Sequence, residues 1–312
     1  MANDANDDIQ INAKNISIVS AISVAYLLVS YFLVGYKSDQ LVLLGIFNLC
    51  FYATNTTRRF ILGFSIFIVY WIIFDYMKAF PNYNYNDVAI GELYNTEKKL
   101  FGIHFNNSVL TPNEYLYLKR TNFVDVFSGL FYLCWIPVPL AFAAYLFYRN
   151  KEQFLRFAFT FVLVNLLGFI VYYAYPAAPP WYIQVHGFKF QPLTQGNMAG
   201  LARFDKFFNI NLFKSIYAKG SNVFAAMPSL HSSYPIIVLY YGIKNRLGVI
   251  NVFFAIVMAG IWFTAVYASH HYILDVLAGI ICAVLGIALF NITISLSVLL
   301  KKFLLRYEQI IQ

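Results

Sequence analysis

The sequence predicts an all-α protein, a polytopic membrane helix bundle of about eight spans with further helices at the membrane surface. Two observations predict this fold class. Apolar residues make up 60% of the 312 residues and charged residues only 12%, and the chain contains 32 Phe and 25 Tyr. Much of the apolar sequence also lies in runs of about 20 residues, the length that an α-helix needs to cross a bilayer. This composition excludes a soluble globular domain.

Six apolar runs are long enough to span a bilayer. They lie near residues 16–36, 59–78, 125–148, 155–175, 248–267 and 272–300. Two shorter runs, near residues 39–54 and 229–244, raise the count to eight. Each of these two is interpreted as a short span, a tilted partner or a re-entrant segment. The sequence leaves open whether they cross the bilayer completely.

Basic residues in the short loops predict the orientation of the chain. They cluster at residues 58–59, 149–156, 244–246 and 301–306. Short loops rich in Lys and Arg stay in the cytoplasm. All four clusters lie in the cytoplasm only if the number of spans is even and both termini are cytoplasmic. This orientation places loops 79–122 and 176–228 outside. The formal charge of +8 is therefore assigned to cytoplasmic loops that face anionic lipid, and it does not indicate nucleic-acid binding.

These patterns divide the chain into four parts. Residues 1–15 are predicted to be a disordered cytoplasmic N-terminus and 16–78 the N-terminal spans. Residues 79–300 form the membrane domain that carries the site, with a core of six helices, and 301–312 form a cytoplasmic tail. Within the first outer loop, residues 88–122 mix charged residues with Leu, Phe and Tyr. This predicts one or two amphipathic helices that lie at the interface and cap the site.

Two clusters of chemically active residues lie where apolar runs meet their polar flanks. Residues 228–231 read Pro-Ser-Leu-His, and residues 270–275 read His-His-Tyr-Ile-Leu-Asp. Residues four apart share one face of a helix, so Asp275 is predicted to hydrogen-bond the ring of His271. A carboxylate behind an imidazole fixes its tautomer and makes it a better nucleophile. With His231 as a second imidazole, the set suits phosphoryl transfer through a phosphohistidine, without a metal or another cofactor.

With these clusters the sequence resembles the type 2 phosphatidic acid phosphatase superfamily, and more closely its inositol phosphorylceramide synthase branch. Four motifs carry the resemblance: Pro-Ala-Ala-Pro-Pro-Trp-Tyr at 176–182, Gly-Leu-Ala-Arg-Phe-Asp at 200–205, Phe-Ala-Ala-Met-Pro-Ser-Leu-His-Ser at 224–232, and His-His-Tyr at 270–272. They appear in the order of the branch, and the resemblance covers about residues 90–280.

The resemblance implies a sphingolipid head-group transferase. Such an enzyme moves phosphoinositol from phosphatidylinositol to ceramide and releases diacylglycerol. His271 would be the nucleophile, Asp275 would orient it, and His231 would act as general acid and then as general base. The choice of inositol as head group depends on the resemblance alone.

The chain departs from the phosphatase pattern at three cations. The phosphatases have a Lys and an Arg in their first motif and an Arg before the His of their third motif. At these positions this chain has Val171, Ala178 and Ala265. A phosphate monoester carries about −1.5 to −2 charges near pH 7, whereas a diester carries a single one, so a diester needs fewer cations. The three missing cations favour a phosphodiester substrate, with Arg203 and Lys206 as candidate replacements.

Further residues are predicted to line the substrate site. Proline-rich loop 175–182 is expected to form its rim, and the set is Pro180, Trp181, Tyr182, Ser229, Asp125, Arg203 and His270. The backbone amides after Pro180 and the Ser229 hydroxyl are candidate donors to phosphoryl oxygens. Asp125 is a candidate partner of inositol hydroxyls or of a catalytic histidine. His270 is expected to face away from His271, because successive helix residues point about 100° apart.

Three other interpretations stay open. A lipid phosphate phosphatase, or a ceramide transferase that uses phosphoethanolamine or phosphocholine, would use the same histidines. A metal site made of His231, His271 and Asp275 would be sensitive to chelators. A membrane scaffold without enzymatic activity would keep its function after His231→Ala and His271→Ala.

The expected partners are the two lipid substrates and the bilayer, with no nucleic acid. A homo-oligomer or a small accessory subunit is left open. The topology places the site on the extracytoplasmic face of a multi-pass membrane protein. This face is the periplasmic one in a bacterium and the lumenal face of the Golgi in a eukaryote.

Overall fold

A computed structural model describes residues 12–218, 220 and 222–312 of the chain. The predicted N-terminal segment 1–15 therefore falls largely outside the described residues. The helices are α1 (Ala13–Val34), α2 (Ser38–Ala53), α3 (Asn55–Tyr76), α4 (Gly91–Phe101), α5 (Pro112–Leu118), α6 (Asn122–Leu133), α7 (Pro137–Arg149), α8 (Lys151–Ala174), α9 (Pro180–His186), α10 (Ala202–Phe208), α11 (Leu212–Ala218), α12 (Leu230–Lys244), α13 (Ile250–Tyr267), α14 (Ile273–Leu296) and α15 (Val298–Ile311). Strands β1 (Ile103–Phe105) and β2 (Ser108–Leu110) form a small hairpin, and three-residue 3-10 helices lie at Met77–Ala79, Asn82–Asn84 and Ala199–Leu201.

The prediction of an all-α, multi-pass membrane bundle is confirmed. Within the described residues, six helical stretches are long and apolar enough to cross a membrane. One of them combines α6 and α7, which were predicted as the single run 125–148. The helix is interrupted at residues 134–136, because Pro137 and Pro139 can begin a helix but cannot continue one.

The two shorter apolar runs are also helical. They form α2, with 16 residues, and α12, with 15 residues. At 1.5 Å per residue, α12 is about 22 Å long, which is shorter than the bilayer hydrocarbon core of about 30 Å.

Helices α8, α12 and α14 form the centre of the bundle, and α3, α7 and α15 pack around it. The half of the bundle next to the turn between α7 and α8, called the inner half after its predicted orientation, contains an aromatic cluster that consists of Phe142, Phe147, Phe154, Phe157 and Phe161. Phe157 meets Phe142 edge to face at 5.2 Å between ring centroids, and Phe147 meets Phe154 at 5.2 Å. Edge-to-face pairs add attraction beyond the burial of the rings.

The C-terminal residues of the chain are helical and packed. Helix α15 lies against α3 and α8, and it buries Leu304 and Ile311. The Tyr307 hydroxyl donates to the Leu62 carbonyl at 2.8 Å, and Arg59 donates to the Gln312 carbonyl at 2.9 Å. This packing ties the predicted tail 301–312 to the first part of the bundle.

The segments predicted to lie outside the membrane meet at one end of the bundle. Ala177 lies between Ala89 and Ala225 in parallel backbone bridges, so the two long loops are joined. The buried Asn82 side chain donates to the carbonyls of Tyr172 and Phe224, both at 2.8 Å. The predicted amphipathic helices in 88–122 appear as α4 and α5, with the β1–β2 hairpin between them. This end is called the outer end after its predicted orientation, and which side of the membrane it faces stays a prediction.

Candidate functional site

His231 and His271 are brought into direct contact. His231 lies in the first turn of α12, and His271 lies two residues before α14, in the connection from α13. The distance between His231 Nδ1 and His271 Nε2 is 3.2 Å. The side chain of His271 is buried. Two motifs that are 40 residues apart in the sequence therefore share one site.

The tautomer of His271 follows from its second ring nitrogen. His271 Nδ1 lies 2.9 Å from the carbonyl oxygen of Ala226. A carbonyl can only accept a hydrogen bond, so Nδ1 carries the proton and Nε2 keeps its lone pair. His231 Nδ1 is then the donor in the contact between the two rings. The lone pair of a potential nucleophile thus points at a second histidine.

Asp275 lies behind the His271 ring, but a backbone carbonyl is the closer partner. Asp275 Oδ2 is 3.6 Å from His271 Nδ1, beyond a normal hydrogen bond. The same oxygen accepts from the backbone N–H of Tyr272 at 2.8 Å. The predicted hydrogen bond between Asp275 and the ring is therefore replaced by the bond to Ala226. Asp275 caps the start of α14, with its carboxyl group behind the imidazole.

The chain around Ser229 packs closely against α14. The Ser229 N–H donates to the backbone carbonyl of Asp275 at 2.9 Å. Gly279 faces the Ser229 carbonyl so closely that a Cβ at this position would overlap it. A glycine is needed at this point because the two backbones touch. This close approach brings the start of α12 next to the start of α14.

His270 is held between two aromatic rings. Its ring stacks on Tyr217 at 4.7 Å and on Tyr132 at 5.5 Å between centroids. His270 Nε2 lies 3.1 Å from the Met198 carbonyl. Burial lowers the pKa of His270 well below its ordinary value, and the neighbouring His271 and His231 lower it further. His270 takes no part in the hydrogen-bond contact between the other two histidines, and it lies in a turn and not in the helix that the spacing argument assumed.

Aromatic side chains from the broken α6–α7 span cover His231. The Trp135 ring meets the His231 ring edge to face at 4.4 Å, and Tyr132 lies 5.3 Å from it. Trp135 sits in the interruption between α6 and α7. The prolines that follow signal this interruption, but sequence reasoning did not assign a role to Trp135 or Tyr132.

The histidine turn, residues 268–272, is held by two buried polar residues that the sequence did not single out as site residues. The Glu97 carboxylate, on α4, accepts from the N–H groups of Ile273 at 2.9 Å and Leu274 at 3.1 Å. The Asn113 amide, on α5, donates to the carbonyls of Val266 and His271, both at 2.8 Å. Both side chains are fully buried. The cap helices therefore bind the backbone on both sides of His271.

Two pKa shifts at the outer end have clear physical causes. Burial lowers the pKa of His271 to about 4, while the bond from Nδ1 to Ala226 opposes this shift. The ring is therefore neutral near pH 7, which is the form that has a free lone pair. Burial raises the pKa of the Glu97 carboxyl, and the two backbone N–H groups that it accepts from oppose the increase.

Asp125 and Arg203 form an ion pair beside the histidine turn. Arg203 Nε donates to Asp125 Oδ1 at 2.5 Å, and the Tyr267 hydroxyl donates to the same oxygen at 2.8 Å. Arg203 Nη2 is buried and has no hydrogen-bond partner within the described part of the chain. A Cβ on Gly200 would lie 3.0 Å from this nitrogen and 2.7 Å from the Cα of Ala268. The unpaired N–H groups of Arg203 therefore lie next to the turn that carries His271.

The remaining predicted residues take part in the framework of the site. The Trp181 N–H donates to the Ser269 carbonyl at 3.0 Å, and the Tyr182 N–H donates to the Pro179 carbonyl at 3.0 Å. These amides after Pro180 are thus already bonded, and they are not free donors to a phosphoryl group. The Ser229 hydroxyl is likewise buried and accepts from Ser232 at 3.0 Å.

His231, His271 and Asp275 are not arranged around one point. His231 contacts Nε2 of the His271 ring, whereas Asp275 lies on the side of Nδ1. Among the described residues, no group of three His, Cys, Asp or Glu side chains is placed to hold a metal ion. A shared metal at these three residues would require a different arrangement of the His271 ring.

Known proteins resemble this chain over most of its length. A family model described as the PAP2 superfamily matches residues 102–289, more than half of the chain. The chain is 42% identical over 297 residues to the phosphoinositol dihydroceramide synthase of Bacteroides thetaiotaomicron, covering 94% of this chain and 97% of that protein.

Two fungal proteins are similar over a smaller share of their own length. Identity is 28% to the inositol phosphorylceramide synthase of Candida albicans, over 79% of this chain and 50% of that protein. It is 29% to the catalytic subunit of the inositol phosphorylceramide synthase of Saccharomyces cerevisiae, over 80% of this chain and 62% of that protein. The chain thus spans about half to three fifths of these fungal relatives. No solved structure matches the chain.

Proposed function

The chain belongs to the PAP2 superfamily and to its inositol phosphorylceramide synthase branch, and on this premise we propose that it transfers phosphoinositol from phosphatidylinositol to ceramide. At the coarser level it is a sphingolipid head-group transferase, a phosphotransferase that acts on a phosphodiester lipid. The products of the proposed reaction are inositol phosphorylceramide and diacylglycerol. The reaction passes through a phosphohistidine on His271 and uses no cofactor.

The contact between His231 Nδ1 and His271 Nε2 carries this proposal. His271 presents a lone pair because Nδ1 is committed to the Ala226 carbonyl, and a second imidazole lies 3.2 Å away. A phosphorus atom and its leaving oxygen do not fit between nitrogens at this distance. The two rings therefore separate when the donor lipid binds, and the phosphodiester takes the place of their direct contact.

The first displacement forms the intermediate. His271 Nε2 attacks phosphorus, a bond from Nε2 to phosphorus forms, and the bond from phosphorus to the diacylglycerol oxygen breaks. His231, protonated beside the anionic phosphodiester, gives its proton to the leaving oxygen. The His271 ring becomes a cation that still bears its proton on Nδ1. The Ala226 carbonyl and the nearby Asp275 carboxylate stabilise this charge.

The second displacement delivers the head group. Neutral His231 takes the proton of the primary hydroxyl of ceramide while the ceramide oxygen attacks phosphorus. The bond from phosphorus to Nε2 breaks, and both histidines return to their starting protonation states. General acid–base help of this kind contributes about 10²–10⁴-fold to the rate. The unpaired Nη2 of Arg203, beside the histidine turn, supports a role for this cation in binding phosphoryl oxygens.

The surroundings of the histidines favour transfer to a lipid over hydrolysis. Trp135 and Tyr132 cover His231, and the side chain of His271 is buried, so little water reaches the reacting nitrogens. His231 and His271 lie at the ends of apolar helices, where the apolar runs meet their polar flanks. A lipid alcohol can approach this position from the bilayer.

Purified protein in a neutral detergent tests the proposal, with fluorescent ceramide and phosphatidylinositol as substrates. The expected product is fluorescent inositol phosphorylceramide, identified by chromatography and mass. His271→Ala should abolish it while the protein remains monodisperse, and the exposed His104 provides the matched control, His104→Ala. Release of free inositol phosphate in place of the ceramide product would show hydrolysis of the phosphodiester instead of transfer, and turnover above a few per cent in His271→Ala would exclude this nucleophile.

A rapid-quench experiment tests the intermediate. Donor lipid with a radiolabelled head group is mixed with enzyme without ceramide, and the protein is isolated after milliseconds. Acid-labile, base-stable label on the parent protein and none on His271→Ala is the expected result. Normal turnover without any labelled protein would favour a single direct displacement by ceramide.

A further inference from the structure

An open basin lies at the outer end of the bundle, beside the histidine turn. Its volume is about 730 Å³, and its walls come from the end of α5, the start of α6, and α10. Three cations line it, Arg120, Arg203 and Lys206, together with a single carboxylate, Asp125. Thr121 and Asn122 add uncharged polar groups.

The charge of the basin is positive. Asp125 is already bonded to Arg203 Nε and to the Tyr267 hydroxyl, so it offsets only one of the three cations. Arg120 and Lys206 are exposed at the mouth of the basin, and Arg203 is partly buried deeper in its wall. The guanidinium of Arg120 lies over the ring of Tyr117 at 4.3 Å. A ligand in the basin therefore meets an excess of positive charge.

The basin shares its walls with the histidine site. The Gly200 N–H donates to the Ala268 carbonyl at 2.9 Å, and the Met198 carbonyl contacts the His270 ring. On α6, Asp125 lies seven residues before Tyr132, whose ring packs on His231 and His270. Seven helical residues correspond to about 10 Å. A phosphodiester at His271 can thus extend its polar head outward into the basin, with its lipid part toward the bilayer.

We infer that the basin holds the head group of the donor lipid and that Arg120 and Lys206 exclude head groups with a positive charge. The inference depends on the proposed transferase function and narrows its donor to phosphodiester lipids with an uncharged or anionic, hydroxyl-bearing head group. An ammonium group in the basin would meet the three cations, and the repulsion between these like charges would weaken its binding. The hydroxyls of a polyol instead find acceptors and donors in Asp125, Thr121 and Asn122.

A donor panel tests this selection. Wild type, Arg120→Glu and Lys206→Glu are assayed in neutral detergent with fluorescent ceramide and phosphatidylinositol, phosphatidylglycerol, phosphatidylethanolamine or phosphatidylcholine. Each charge reversal should lower kcat/KM for phosphatidylinositol roughly tenfold, mainly through KM, and raise kcat/KM for the two zwitterionic donors. The ratio between anionic and zwitterionic donors should therefore fall by more than tenfold in either variant.

Lys119→Glu is the matched control, because Lys119 is an exposed neighbour of Arg120 that packs over Phe105 outside the basin. It should leave the donor ratio within twofold of wild type. Equal ratios in all four proteins would overturn the inference and leave the transferase function intact. If wild type transfers no head group to ceramide from any donor, the proposed function itself fails.

Discussion

Around the histidine turn, several buried polar side chains bond partners from distant parts of the chain, whereas the buried side chains in the inner half of the bundle are mainly packed rings. At the outer end, Glu97, Asn113 and Asp125 are buried and each bonds a partner far away in the sequence. The partners of Glu97, for example, lie 176 and 177 residues further along the chain. In the aromatic cluster, by contrast, the side chains of Phe157 and Phe154 pack against neighbouring rings.

The difference indicates two separate roles within one bundle. Hydrogen bonds at the outer end orient the side chains of the site, and apolar packing in the inner half holds the helices together. A buried hydrogen bond has a direction, and removing one partner leaves the other unsatisfied, at a cost of about 1–3 kcal/mol. Apolar packing has little direction, so an apolar substitution of similar size is usually tolerated. We therefore expect conservative changes at the outer end to reduce the rate per folded molecule, and conservative changes in the aromatic cluster to reduce stability only.

The largest effect is expected for His231→Asn. The variant removes the proton donor and acceptor next to His271 Nε2, so kcat should fall by about 10³-fold. The matched change His104→Asn, at an exposed residue of β1, should leave kcat within twofold. Both are measured as initial rates of ceramide product per monodisperse protein. A loss of less than tenfold in His231→Asn would contradict a general acid at this position.

Asp125→Asn should have the next largest effect. The change keeps the shape of the side chain but removes the charge that accepts from Arg203 and Tyr267. A hydrogen bond to a charged group contributes about 1.5–3 kcal/mol, so kcat/KM should fall roughly 30-fold. Tyr267→Phe removes only one neutral donor and should cost roughly fivefold. Equal losses in both variants would show that the charge of Asp125 is not what positions Arg203.

Glu97→Gln tests whether the cap helices act on the chemistry. A carboxamide offers one oxygen to the two N–H groups of Ile273 and Leu274, and its NH₂ group faces the other. We expect a roughly tenfold loss in kcat with little change in KM, because the histidine turn moves and the substrate site does not. Glu92→Gln, at an exposed position of the same helix, is the control. A matching loss in Glu92→Gln would point to a general effect of charge on α4.

Phe157→Leu tests the aromatic cluster in the inner half of the bundle. Phe157 is fully buried and meets Phe142 and Tyr241 edge to face. Losing such pairs costs about 0.5–1.5 kcal/mol each, so the thermal denaturation midpoint in detergent should fall by several degrees. The rate per folded molecule should stay within twofold. The exposed Phe253, changed to Leu, should alter neither quantity. A changed KM in Phe157→Leu would mean that the two halves are coupled.

The smallest effect is expected for the dependence of folding stability on pH. The pKa of His271 is lowered to about 4 by burial, whereas an unfolded chain takes up this proton near pH 6.5. As the pH falls below about 6.5, the unfolded state binds the proton first, so the folded state loses stability until about pH 4. Above pH 6.5 this contribution is constant. The denaturation midpoint should therefore fall between pH 7.5 and pH 5, and less steeply in His271→Gln. An equal slope in both proteins would refute a buried neutral His271.

Much of the fold was predictable because hydropathy is a local property. Each of the eight apolar runs became helical, with bounds within a few residues of the prediction, as in α2 for run 39–54 and α12 for run 229–244. The interruption between α6 and α7 was not predicted, although Pro137 and Pro139 signal it. The mixed polarity of residues 88–122 indicated interfacial helices but did not reveal the β1–β2 hairpin, in which Asn106 and Asn107 adopt left-handed conformations.

The sequence predicted which types of residue form the site, but it did not predict how these residues are paired. The spacing of His271 and Asp275 suggested a pair, yet the ring is bonded to the Ala226 carbonyl and Asp275 is 3.6 Å away. A backbone carbonyl has no sequence signature, since every residue carries one. Glu97 and Asn113 belong to an outer segment whose charged residues are normally solvated, so nothing local marked them as buried.

The sequence by itself determined a multi-pass helical protein with two histidine motifs at the ends of apolar runs, because each helix must satisfy its own backbone and present apolar residues to lipid. Only the tertiary structure decided which nitrogen of His271 is free, which residues hold the histidine turn, and that Asp125 faces Arg203. These facts depend on packing between segments that are 45 to 177 residues apart. The direction of a hydrogen bond between such segments follows from how the helices pack, and no short window of sequence contains it.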